Sequence, residues 1–187
     1  KGNNNGAGNP PAKDYSSYRT SYFWEEILQP DSWMEIVGRY ILLQKDEKIV
    51  DGKKYTKEKI LFPRYHQIDA VRKLIKHTQQ DGAGKNYLIQ HSAGSGKSNT
   101  IAWLAYRLSS LFNTTDEKVF DSVIVITDRN VLDWQLQNTI YQFEHKQGVV
   151  KWIDTNATDL AQTINDGVEI IIAALQKFPY ALKTIQS

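Results

Sequence analysis

Apolar residues in the second half of the chain fall into short continuous runs: Tyr87-Leu88-Ile89, Val123-Ile124-Val125-Ile126 and Ile170-Ile171-Ile172-Ala173. Runs of this length, apolar on successive positions, are expected of strands covered by helices on both faces. Between them the apolar positions recur at helical spacing. The pattern predicts a strand at 87–91, a helix over 97–112, a strand at 122–127, a helix over 130–144 and a strand at 149–153. A helix over 157–166, a strand at 168–174 and a helix beginning near Gln176 complete it. Strands alternating with helical crossovers give a parallel sheet in a doubly wound α/β fold. Upstream, Pro63 is placed to open a helix to about Gln80, with Ile68, Val71, Leu74 and Ile75 on one face and Asp81-Gly82-Ala83-Gly84 to end it. No repeat of solenoid period is visible.

The first sixty residues read differently. Lys1 to Lys13 holds Gly2, Gly6 and Gly8, four asparagines and two prolines, too little apolar surface to offset the entropy of ordering. It reads as a linker, and the chain as a piece of a longer polypeptide. Tyr15 to Gln44 is dense in aromatics, among them Tyr18, Tyr22, Phe23, Trp24, Trp33 and Tyr40. Such density serves packing or an interface more often than a ligand. Its second part, Asp31 to Gln44, has helical spacing, with Pro30 as a stop before it and Asp31 or Ser32 as a cap. Lys45 to Lys59 is charged and carries Asp51-Gly52, a turn or hairpin tip flanked by short strands at Ile49-Val50 and Lys59-Ile60-Leu61. The organisation expected is therefore a linker at 1–14, a helical and aromatic connector at 15–60, and an α/β domain at 61–187.

Composition narrows the class without deciding it. A chain of 187 residues with 41% hydrophobic content can bury a core, and a net charge of +2 neither demands nor excludes a nucleic-acid partner. Cysteine is absent, which excludes disulfides and thiolate metal sites and fits a reducing cytosol. No apolar run approaches the ~18 residues of a membrane span.

Chemistry concentrates after the first apolar run, in His91-Ser92-Ala93-Gly94-Ser95-Gly96-Lys97-Ser98. Glycines at 94 and 96 let the backbone turn tightly and, with Ser95, aim successive N–H groups at phosphate oxygens. Lys97 supplies a mobile charge for the β- and γ-phosphates, and Ser98 a hydroxyl for Mg²⁺. The following helix directs its positive dipole end at the same anion. The strict pattern has glycine where this chain has His91, a residue suited to packing beside the loop. A Gly/Ser-rich turn that merely contains a lysine is the alternative; strand before and helix after argue against it. Upstream, Phe62-Pro63-Arg64-Tyr65-His66-Gln67 offers an amide at Gln67 that can pair with adenine N6 and N7, a ring at Phe62 that can stack, and Arg64 to reach the base or ribose. A solvated glutamine at a helix start is the plainer reading of that hexapeptide.

These segments, with the Asn/Gly linker, Thr20-Ser21-Tyr22-Phe23-Trp24-Glu25-Glu26, Thr127-Asp128-Arg129-Asn130-Val131-Leu132-Asp133-Trp134-Gln135 and Leu175-Gln176-Lys177-Phe178, resemble the motor (R) subunit of type I restriction-modification enzymes. In that family a nuclease is joined to a superfamily-two translocase of double-stranded DNA, where the first loop position is commonly not glycine. The resemblance implies a RecA-like first motor lobe, ATP and Mg²⁺ as cofactors, and a cytoplasmic complex with methyltransferase and specificity subunits. It makes Gln67 the adenine reader with Phe62 and Arg64 beside it, and Lys97 the catalytic lysine. It also places Thr127, Arg129, Gln176 and Lys177 on the DNA backbone, a role their donors and charges suit. Asp128 and Asn130 are equally suited to cap the helix that follows. Ala173-Ala174 stand where relatives often carry threonines. The family's Asp-Glu-Ala-His tetrapeptide, second lobe and nuclease are not within this sequence. Two other functions stay open at this stage: another phosphate-loop enzyme such as a kinase, and a nucleotide-gated module that binds ATP without hydrolysing it.

Overall fold

A computed structural model of the chain describes residues 9–10, 12, 14, 16–50, 53–127, 130–143, 148–153 and 157–177, without the side chains of 46–50, 130–135, 157–158 and 177. Two compact units divide the chain between Asp69 and Ala70.

In the first unit a π-helical turn, Phe23–Ile27, precedes helix α1, Pro30–Arg39. Pro30 sits at the first helical position, where its missing N–H costs nothing, rather than before the helix as a stop. Asp31 in the first turn and Arg39 in the last complement the helix dipole. The helix ends five residues earlier than its spacing predicts. The Tyr40 and Ile41 N–H groups both donate to the Ile36 carbonyl, at 2.9 and 3.0 Å, which closes the last turn. Beyond it the backbone joins a ladder instead. Strand β1 (Leu42–Val50) pairs antiparallel with β2 (Lys53–Leu61), nine residues each, with Leu42 opposite Leu61 and Val50 opposite Lys53. The strands are thus much longer than those expected, and the turn expected at Asp51-Gly52 lies outside the described residues. Among the described residues, Ile27, Ile36, Tyr40, Leu42 and Ile68 are buried apolar side chains of this unit.

Helix α2 (Tyr65–Asp81) begins in the first unit and its last turns belong to the second. At its start Tyr65 meets Tyr22 edge to face at 4.9 Å, and its phenol donates to Glu26 at 3.4 Å. Burial, then the negative charges of Glu26 and Asp69, push the Tyr65 phenol up to about 12.

The second unit carries a three-stranded parallel sheet in the order β3 (Val123–Thr127), β5 (Ile170–Ala174), β4 (Val150–Ile153). Helix α3 (Lys97–Ser109) precedes β3, α4 (Asn130–Gln142) links β3 to β4, and α5 (Ala157–Asn165) links β4 to β5. The first crossover steps over two strand positions and the second steps back by one. Right-handed crossovers in opposite directions put α4 and α5 on opposite faces of the sheet. Packing agrees. Ile171 and Ala173 cluster with Ile153, Leu160, Ile164 and Val168 on the α5 side. Alternation turns Ile170, Ile172 and Ala174 the other way, towards α3 and α4, which both pack on β5. The doubly wound expectation holds, and this is a partial RecA-like α/β layer fold. On β3 the α5 side is less covered, because α5 packs on β4 and β5. There Ile126 remains 50% exposed.

One expected strand did not form. Residues 86–92 adopt no regular structure, and Leu88 is 93% exposed. A run of apolar residues becomes a strand only when a neighbouring ladder takes up its N–H and C=O groups. Among the described residues, this run enters neither sheet. It is held at Tyr87, whose ring lies 6.1 Å from His77. Partial loss of water around the phenol, then the charge of Asp81 and a hydrogen bond to it, raise the Tyr87 pKa. The helix expected near Gln176 begins as a short 3-10 turn, Leu175–Lys177, and residues beyond it lie outside the described ones. Among the described residues no helix is long and apolar enough to cross a membrane.

Candidate nucleotide site

The loop between residue 91 and α3 owes its shape to two glycines in the left-handed region, Gly94 at φ 71° and Gly96 at φ 84°. A side chain at either position would be strained by about 1–2 kcal/mol. At Gly94 the strain would be of backbone origin only, since a Cβ there would meet nothing within 4 Å. Gly96 is the N-cap of α3, and its carbonyl accepts from the N–H groups of Asn99 (3.1 Å) and Thr100 (3.2 Å). The Thr100 hydroxyl adds a weak bond to the same carbonyl at 3.4 Å. That carbonyl anchors the first turn, and the first-turn amides of a helix are the ones left over for an anion.

Lys97 opens the helix with an exposed side chain whose ammonium folds back over the loop. It donates to the backbone carbonyls of Ser92 at 2.9 Å and His91 at 3.2 Å. A positive charge, two left-handed glycines and a helix N-terminus are therefore gathered within residues 91–98. The helix behind them is firmly seated. Trp103 is buried against Phe143, edge to face at 5.4 Å, and Tyr106 stacks on the same ring at 6.2 Å while its phenol donates to the Ile140 carbonyl at 3.1 Å. Within the loop Ser95 is buried, while Ser98 is half-buried on the first turn of α3. Among the described residues no group of three or more His, Asp or Glu side chains is placed to hold a metal.

Phe62, Arg64 and Gln67 belong to the first unit. Phe62 is exposed and lies 6.4 Å from the Trp33 ring. Gln67 is 3% exposed, and its Oε1 accepts from the Arg64 backbone N–H at 2.8 Å. A glutamine three positions into a helix, reaching back to the N-cap amide, is one half of a capping box. The same residue picked out for base recognition therefore fixes the start of α2.

At the other end of the candidate set, Thr127 closes β3 directly opposite Ala174 of β5, and Gln176 follows on the turn after β5. Both stand at carboxyl ends of adjacent parallel strands, where open α/β sheets bind ligands. Thr127 is buried and its hydroxyl oxygen has no hydrogen-bond partner among the described residues, whereas Gln176 is exposed. Arg129 lies outside the described residues, as does the side chain of Lys177. Sequence reading missed the lysine's partners. They are main-chain carbonyls, which no side-chain pattern announces, and the His91 residue contributes to the loop through its backbone oxygen.

The SWI2/SNF2 ATPase family model matches residues 66–186. The type I restriction enzyme HindI endonuclease subunit of Haemophilus influenzae is 27% identical over 159 residues, which is 81% of this chain and 14% of that protein. The chain thus spans about one seventh of the length of that relative. No solved structure matches. With the family model covering the loop, α3 and the whole parallel sheet, the chain belongs to the SWI2/SNF2 ATPase family.

Proposed function

We propose that this chain is the nucleotide-binding part of an ATP-driven double-stranded DNA translocase, acting in a type I restriction endonuclease with methyltransferase and specificity subunits. The observation that carries the reading is the loop at 91–98, with its left-handed glycines and the Lys97 ammonium held over it. The likeness to a restriction endonuclease subunit supports the larger setting.

The donor set suits ATP with Mg²⁺. The loop amides and the start of α3 would take the phosphates, with Lys97 exchanging its carbonyl partners for β- and γ-phosphate oxygens. Ser98 would offer its hydroxyl to a Mg²⁺ that arrives largely ligated by phosphate and water, the usual habit of that ion. Hydrolysis of the bound nucleotide would supply the energy for movement. Gln67, with Arg64 and Phe62, would read adenine. Thr127, Arg129, Gln176 and Lys177 would carry the DNA backbone, contacts that position without reading sequence.

Binding of a fluorescent ATP analogue to the intact protein tests the first part: Lys97→Ala should abolish it, and near-normal binding would end the phosphate-loop reading. For the base, Gln67→Glu is the informative change, because glutamate keeps the acceptor that caps α2 and loses the donor for adenine N7. It should weaken ATP by about 1–3 kcal/mol with little effect on GTP. An unchanged preference removes Gln67 from the site.

A further inference from the structure

The hairpin of the first unit separates charge by face. Along β2, side chains at 53, 55, 57 and 59 project to one side and those at 54, 56, 58 and 60 to the other. Every one of them is exposed. The first side presents Lys53, Tyr55, Lys57 and Lys59, with the Tyr55 ring 56% exposed among the lysines. The second presents Lys54, Thr56, Glu58 and Ile60, and there Glu58 is paired with its ladder partner Lys45 at 3.1 Å. In the ladder Lys53, Tyr55, Lys57 and Lys59 stand opposite Val50, Lys48, Asp46 and Gln44, so these rows set one acidic position against four lysines. Residues 53–59 alone hold four lysines and one glutamate, a local excess larger than the +2 of the whole chain.

Protection of an open sheet edge explains charge on such a ribbon but not its sorting by sign. Either sign blocks edge-to-edge pairing, and an alternating pattern would do so with less self-repulsion. A row with lysines at three of four alternate positions, the positions about 6.8 Å apart and the row about 20 Å long, is matched instead by a polyanion. An exposed tyrosine among them adds a phosphate donor and an apolar face for sugar. A two-stranded ribbon also has the width of a DNA major groove.

We propose that this lysine face of the hairpin is a second docking surface for duplex DNA, holding its phosphate backbone without regard to sequence. Duplex DNA as the polyanion rests on the proposed motor reading; the sorted basic face does not. The test is anisotropy of a labelled random-sequence duplex, titrated without nucleotide with the intact protein over a range of salt. Each neutralised phosphate contributes about 0.9 to the slope of log K against log salt. Lys53→Gln, Lys57→Gln and Lys59→Gln together should remove two to three contacts and flatten that slope by about 1.8–2.7. Over a fourfold rise in salt the variant would then lose about 12- to 40-fold less affinity than the parent. Lys53→Gln and Lys59→Gln singly should each remove about one contact, which keeps the test intact should the triple variant fold poorly. Arginine at all three positions should preserve the slope, and Lys45→Gln with Glu58→Gln on the opposite side should leave it unchanged. A parent slope retained by the triple glutamine variant overturns the proposal and leaves the motor reading standing. Absence of DNA binding by the parent itself defeats both. Equal affinity for polyglutamate would assign the face to an acidic protein and also overturn it.

Discussion

Strand β5 and the segment Tyr87–Gln90 look alike as sequence and end in opposite environments. Ile170, Ile171 and Ile172 are fully buried, hydrogen-bonded to a strand on each side and covered by helices on both faces. Leu88, in a run of comparable apolar character, is 93% exposed. The difference lies outside the runs themselves. β5 is reached by two crossovers that deliver β3 and β4 to its flanks. Tyr87–Gln90 has its backbone groups in no ladder among the described residues. Hydrophobicity says that a segment gains by burial; neighbours decide whether burial and hydrogen bonding can be had together.

Truncation along this gradient of cover should give a graded loss of stability. Ile172→Ala, in the middle of β5, should cost about 2–5 kcal/mol in urea unfolding, through lost burial and a cavity that packed helices on both sides cannot fill. Ile126→Ala, half exposed on the open side of β3, should cost about half as much. Leu88→Ala should fall within about 0.5 kcal/mol. A loss of more than about 1 kcal/mol at Leu88 would break the contrast, since a side chain open to water has little transfer energy to lose. The smallest effect concerns the anchor of the segment. Tyr87 should ionise later than a free tyrosine, read as the difference in phenolate absorbance between the parent and Tyr87→Phe. Asp81→Asn should bring it partway back. Because the folded chain holds this proton more tightly than the unfolded one, the contact contributes fully below the ordinary phenol range and fades as pH rises through the raised value.

Much of the second unit was legible because its signals are local or periodic. Gly94, Gly96 and Lys97 specify a loop almost by themselves, since only glycine sits easily at positive φ. The alternation of β3, α4, β4, α5 and β5 followed from apolar runs and helical spacing, within about two residues at most boundaries. What escaped depended on partners distant in sequence. The hairpin is built of polar and charged residues whose pattern announces a turn at Asp51-Gly52 but not how far the ladder extends from it. The end of α1 was misplaced because Tyr40, Leu42 and their neighbours continue an apolar pattern after the backbone has changed its hydrogen-bonding scheme. Gln67 shows the same limit for function. Its amide marks it as a candidate base reader, while its bond to the Arg64 N–H exists only in the folded chain.

Both acceptors of the Lys97 ammonium are main-chain oxygens. Every residue type carries such an oxygen, so no exchange of side chain at positions 91 or 92 removes the lysine's seat; only a change in the path of the chain can. The position where this loop departs from the strict glycine pattern thereby holds the cation through its main chain. Histidine, or any residue that tolerates the local backbone, leaves the same carbonyl aimed at the same cation. Variation is absorbed by what projects outward, and the charge is held by what every sequence shares.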